Sequence, residues 1–279
     1  MRRPLLLATA VTLLAGALLW SLGFVLASPA PAALGPPPAG MLAAQFRSHS
    51  GARLRAWLAP VADARAVAVV MHHLRGNRRS VLGRVRLMNK LGVAALTFDF
   101  QAHGESEGEW MTFGHLESMD ARTAVDFARE RWPGLPVFVI GVSLGGAAAL
   151  LAEPPLQVDA MILESVFPDV STAVSNRLAM RFPLAELATP LLVAQLPLRL
   201  GIEPEQLAPV SRARFVTAPV LVLSGSRDEH TTPVDTQRLF AAFPGKKRLV
   251  FFEGAKHQNL QTFDGSLYAS TVSAFLGEL

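Results

Sequence analysis

From position 41 onward, short uninterrupted apolar runs alternate with longer segments whose apolar residues recur at helical spacing. The runs over 66–71, 93–98, 136–140, 160–163, 220–223 and 248–252 are short and rich in β-branched residues, the pattern of strands buried on both faces. Helices are predicted between or after them over 80–91, 116–131, 144–152, 234–243 and 266–276. Each returns the chain for the next strand, so the order predicts an α/β fold, a mostly parallel central sheet with helices on both faces. Two further runs, 41–46 and 54–58, flank Ser48-His49-Ser50-Gly51 and predict an opening hairpin.

Two segments depart from this rhythm. Residues 167–210 are apolar on nearly all sides and punctuated by Pro183, Pro190, Pro197, Pro204 and Pro209. They predict a helical cap inserted between two strands, the alternative being a pair of ordinary packing helices. At the amino terminus Arg2 and Arg3 precede an uncharged stretch over 5–27, followed by a Pro/Ala/Gly-rich run over 28–40 that reads as a linker. A signal peptide carries an apolar region of roughly 7–15 residues, whereas a spanning helix needs about 20. The length predicts an uncleaved membrane anchor over 1–27, with retained arginines placing the rest of the chain, including 41–279, on the non-cytoplasmic side. Small residues around Ala27 and Ala30 leave signal cleavage, and a periplasmic or secreted domain, as the alternative.

Composition narrows the chemistry. Half the chain is apolar (51%), enough for a sizeable core, and there is no cysteine. That excludes a thiolate nucleophile, a disulfide framework and cysteine-ligated metal. The net charge of +4 raises the question of nucleic acid or anionic lipid, but no nucleic-acid-binding motif answers it. Arg65, Arg75, Arg78, Arg79, Arg84, Arg86 and Lys90 fall in a stretch without acidic residues. It reads as a solvated basic face, or as attraction to anionic headgroups. His72 and His73 are adjacent, so their side chains point to opposite faces of a strand and do not chelate one metal ion.

The candidate chemistry lies at strand ends. Gly141-Val142-Ser143-Leu144-Gly145-Gly146 falls between a strand and an Ala-rich helix, where a G-x-S-x-G elbow belongs. The glycines let strand and helix approach closely around a strained serine. A serine hydroxyl needs a base to take its proton and an acid to orient that base. His257, after the last strand, and Asp228, in Ser224-Gly225-Ser226-Arg227-Asp228 after the preceding one, are the candidates. Glu164 and Glu229 compete for the acid, and His230 adjoins it.

These motifs, with Asp99-Phe100-Gln101-Ala102-His103-Gly104-Glu105-Ser106, Pro233 and Gly254-Ala255-Lys256-His257, resemble the α/β-hydrolase superfamily over 41–279. The branch is that of bacterial serine esterases, lysophospholipase-like enzymes and S33-type peptidases. The resemblance implies a Ser143-His257-Asp228 triad working through an acyl-enzyme, with no metal and no cofactor. It also implies an oxyanion hole made by the backbone N–H groups of Leu74 and Leu144. Where the family reads His-Gly this chain reads His72-His73-Leu74, and the family's Asp-x-Arg-Gly-His-Gly has become the 99–104 sequence, in which His103 is structural. The expectation is hydrolysis of a carboxylic ester or thioester on a lipophilic substrate. An aminopeptidase-like activity would need carboxylates in the cap, whose glutamates are Glu186, Glu203 and Glu205. The third alternative is a non-catalytic binder with a relict elbow.

Overall fold

The computed structural model describes residues 2–181 and 184–279, and within the first helix the side chains of 9, 10 and those from 13 onward. The strands are β1 (Ala30–Pro31), β2 (Leu42–Arg47), β3 (Arg53–Ala59), β4 (Ala66–Met71), β5 (Val93–Phe98), β6 (His103–Gly104), β7 (Val137–Val142), β8 (Ala160–Glu164), β9 (Val220–Gly225) and β10 (Lys247–Phe252). The main sheet runs β10-β9-β8-β7-β4-β5-β3-β2. Only β2 and β3 run antiparallel to their neighbours, so the expected hairpin opens an otherwise parallel sheet.

The segments 66–71 and 93–98, apolar but for Thr97, become β4 and β5 without a shift of bounds, and every residue in them is buried. Elsewhere strands outrun the apolar run. β7 continues through Gly141 and Val142, which pair with Leu163 and Glu164. β9 continues through Ser224 and Gly225, which pair with Phe251 and Phe252. Backbone pairing thus carries the strands into the polar residues of the carboxyl edge, where the candidate chemistry sits.

The helices are α1 (Arg2–Ala27), α2 (Leu82–Lys90), α3 (His115–Arg131), α4 (Leu144–Leu151), α5 (Val170–Ala179), α6 (Thr189–Val193), α7 (Gln195–Leu200), α8 (Pro209–Ala213), α9 (Pro233–Ala241), α10 (Leu260–Phe263) and α11 (Gly265–Gly277). Two apolar layers form the core. One joins α3 and α4 to one face of the sheet through Ala121, Ala124, Ala147 and Val139. The other joins α2 and α11 to the opposite face through Val85, Met88, Val272 and Phe275.

Helices α5 to α8 lie between β8 and β9 as the cap insertion. Pro190 and Pro209 stand in the first turns of α6 and α8, and Pro204 in the first turn of a 3₁₀ helix. The prolines start these short helices, where a missing N–H costs nothing. Pro183 lies outside the described residues.

One expectation changes. The 28–40 run is docked along the domain: β1 pairs with β6, Leu34 packs on Trp57 and Leu82, and its N–H donates to Glu105 Oε1 at 2.9 Å. Among the described residues no helix is long and apolar enough to cross a membrane, so a spanning segment over 5–27 finds no support there. The side chains of 2–8, 11 and 12, including Arg2, Arg3 and Leu5, lie outside the described residues.

Candidate active site

Ser143 caps the amino end of α4 with φ 49° and ψ −108°, a left-handed φ that a side chain adopts only when its surroundings enforce it. The enforcement is visible in the neighbouring glycines. A Cβ on Gly141 would lie 2.5 Å from Gly146 Cα, and one on Gly145 would lie 2.6 Å from the Met71 carbonyl oxygen. Strand β7, helix α4 and the end of β4 therefore meet in space that admits only backbone. Ser143 N–H donates to the Glu164 carbonyl at 2.8 Å, tying the turn to β8.

The candidate acid and base meet across two loops. His257 Nδ1 stands 2.8 Å from Asp228 Oδ2. The other carboxylate oxygen accepts the N–H groups of His230 and Thr231, each at 2.9 Å. Burial pushes the Asp228 carboxyl up. The hydrogen bond and charge of His257, with the two amides, outweigh it and leave the group below its usual range. A carboxylate in that state fixes Nδ1 and leaves Nε2 of His257 as the free ring nitrogen. His257 and Ser143 line the same polar cavity.

Glu164, the competing acid, is spoken for. Its Oε2 pairs with Arg84 Nη2 at 2.6 Å, and its Oε1 accepts from Arg84 Nε at 2.8 Å and Tyr268 Oη at 2.6 Å. All three side chains are buried. Arg84 belongs to the run read as a solvated basic face, and that reading fails for Arg84 and for Arg78, which is buried and paired with Asp99 and Glu105, while Arg65, Arg75, Arg79, Arg86 and Lys90 are exposed.

The remaining histidines divide clearly. His72 accepts the Phe100 N–H on Nε2 at 3.1 Å, and burial holds its ring well below the usual histidine range. His103, in β6, is buried, with Nδ1 2.8 Å from the Gln101 carbonyl. His230 is the residue whose place the sequence did not show. Its ring stacks on His257 with centroids 4.7 Å apart and planes 13° from parallel. Burial, then the adjacent His257 and Arg177, hold its pKa below the usual histidine value.

Leu74 and Leu144 both line an apolar cavity with Ser143. In the loop that carries Leu74 the left-handed backbone falls on Arg75, at φ 58°, and not on His73. The cap supplies the other walls through Phe167, Val170, Leu192 and Leu196. Arg177 lines both this cavity and the polar one.

Comparison with known proteins agrees with this architecture. The profile of the family described as serine aminopeptidase, S33, matches residues 62–209. An uncharacterised protein, Rv2307c, of Mycobacterium tuberculosis is 27% identical over 262 residues, covering 91% of this chain and 85% of the relative. Human monoglyceride lipase is 34% identical over 110 residues, 38% of this chain and 36% of that enzyme. Among solved structures, the Pyrococcus furiosus esterase Pf2001 superposes with a TM-score of 0.72 at 17% identity, covering 90% of this chain and 98% of the esterase.

Proposed function

This chain belongs to the serine aminopeptidase, S33, family and is an α/β-hydrolase-fold serine hydrolase, and from that premise we propose that it cleaves carboxylic esters or thioesters of lipophilic acids through a Ser143 acyl-enzyme. In this reading Ser143 Oγ attacks the acyl carbonyl while His257 Nε2 takes its proton. Asp228 holds the imidazole in the required tautomer and steadies the imidazolium that forms. The N–H groups of Leu74 and Leu144 receive the oxyanion. His257 then returns the proton to the departing alkoxide or thiolate. A water molecule, deprotonated by the same nitrogen, releases the acid and restores Ser143.

One observation carries the substrate class: Ser143 lines two cavities, one walled almost entirely by apolar side chains and the other carrying more polar groups. On one side are Leu74, Phe167, Val170, Leu192 and Leu196, walls suited to an acyl chain. On the other are His257, His230, Arg84 and Asn259, suited to a polar leaving group and water. The same walls weigh against an amino-terminal peptide. Among the described residues the charged groups lining the apolar cavity are Arg177 and Arg199, which repel an ammonium. Glu164 in the polar cavity is paired with Arg84, and Glu205 lines a different cavity beside Arg212.

The same reading keeps the protein at a membrane through its amino-terminal segment, with the hydrolase domain on the non-cytoplasmic side. Its support is the exposure of Leu13, Leu14 and Leu18 along α1. Retention of that segment is favoured over cleavage because Ala27 is buried and its carbonyl accepts the Met111 N–H at 2.8 Å. A cut at that point would open the domain.

The test of function is kcat/KM for p-nitrophenyl esters from acetate to palmitate beside aminoacyl p-nitroanilides, using the full chain. Rising efficiency from acetate to medium or long acyl chains is expected. Preference for an aminoacyl anilide would overturn the ester reading.

A further inference from the structure

The last turns of α1 end inside the candidate site. Gly23, Leu26 and Ala27 line the apolar cavity that also holds Ser143. Residues 62–209 carry the family match, so this wall comes from outside that region. Helix α1 is fastened to both lips of the cleft. From the cap, Gln195 Nε2 donates to the Leu19 carbonyl at 3.0 Å. Arg199 Nη2 donates to the Trp20 carbonyl at 2.8 Å, and its guanidinium stacks 4.2 Å from the Trp20 ring. From the core, the Ala27 carbonyl accepts the Met111 N–H, Arg75 donates to the Val25 carbonyl, and Phe24 meets Trp110 edge-on at 5.3 Å. The carbonyls at a helix's carboxyl end lack partners within the helix. Here the core supplies donors to two of them, Val25 and Ala27, while the cap's donors hold the helix one to two turns earlier, at Leu19 and Trp20.

We infer that the carboxyl-terminal turns of α1 form a wall of the acyl-binding pocket, and that Gly23 and Leu26 determine how long a chain it accepts. The reason lies in the residue sizes. At Gly23 the helix packs so closely on Gln195 that an added Cβ would overlap the amide oxygen. A larger side chain there must push Gln195 aside or enter the cavity, and both shorten the space beyond Phe167 and Leu196. Leu26 fills volume on the same wall, and its truncation lengthens that space. The inference rests on the ester-hydrolase reading for its substrate but not for its geometry.

The experiment uses the full chain and two readouts. The first is the ratio of kcat/KM for p-nitrophenyl laurate to that for p-nitrophenyl butyrate. The second is binding of lauric acid by calorimetry in Ser143→Ala protein, which needs no turnover. Gly23→Leu should lower the ratio and weaken laurate binding at least about tenfold, the equivalent of roughly two buried methylenes. Leu26→Ala should move the optimum toward longer chains, while Leu18→Ala, on the exposed face, should leave the ratio unchanged. Folding of each variant is checked by circular dichroism. An unmoved ratio and unmoved laurate binding in folded Gly23→Leu and Leu26→Ala would overturn the wall. Laurate binding that responds to Gly23→Leu in a protein that hydrolyses neither ester would overturn the hydrolase reading and leave the wall standing.

Discussion

Asp228 holds His257 by one carboxylate oxygen, at 2.8 Å, while its other oxygen is filled by two backbone N–H groups. The carboxylate therefore has no freedom to turn away, and the imidazole is presented in one tautomer. Replacing it by an amide should reverse the hydrogen bond, put the ring proton on Nε2 and so present Ser143 with a donor instead of a base. Asp228→Asn is expected to lower kcat on a preferred ester by about 10⁴ with little change in thermal stability. Near-native turnover in that variant would remove Asp228 from the mechanism.

Glu164 makes the contrasting prediction. Its carboxylate neutralises Arg84 in a buried site, and removing one partner strands the other charge. Glu164→Gln should cost about 3–5 kcal/mol of folding free energy, read from denaturant unfolding, while the folded fraction still reacts with a fluorophosphonate probe. A variant of unchanged stability that had lost all turnover would make Glu164 the catalytic acid.

Stability should also depend on pH through Asp120. Burial pushes its carboxyl up to about 7, against the hydrogen bonds from Ser48, Ser50 and the Gln101 N–H. The folded state thus holds a proton that the unfolded chain loses near its ordinary carboxylate value. The stabilisation from this group is complete below that value and declines as pH rises toward about 7. In Asp120→Asn that decline should be missing from a plot of unfolding free energy between pH 4 and 8, a range set about the two values. An identical slope in both proteins would refute the assignment.

Membrane attachment is tested by fractionation of cells expressing the full chain. Retention in the membrane pellet after carbonate washing, with the intact amino terminus seen by mass spectrometry, is the expected result. A soluble periplasmic or secreted chain beginning between residues 28 and 41 would show a cleaved signal instead, and would remove the α1 wall from the mature pocket.

Much of the fold was legible because its central strands are buried on both faces, so that 66–71 and 93–98 announce themselves by composition, whereas β10 at the sheet edge, expected to be buried, is mostly half-buried. The elbow was legible for a related reason. Glycines at 141, 145 and 146 are dictated by contacts that leave no room for a Cβ. Pairings between distant polar residues were not. Arg84 looks like any solvated arginine until Glu164 and Tyr268 are brought to it by β8 and α11. His230 is a loop histidine in the sequence and a stacking partner of His257 only in space. The 5–27 stretch gave only its apolarity, while its fastening to Gln195, Arg199 and Met111 depends on cap and core being folded first.

The measurement that bears most directly on the central claim compares wild-type protein with Ser143→Ala in fluorophosphonate labelling and p-nitrophenyl ester turnover, with circular dichroism on both. The account predicts stoichiometric labelling at Ser143 in the wild type. It predicts no labelling and a loss of about 10⁴-fold or more in kcat for the folded variant. Labelling and turnover that survive in Ser143→Ala would contradict it.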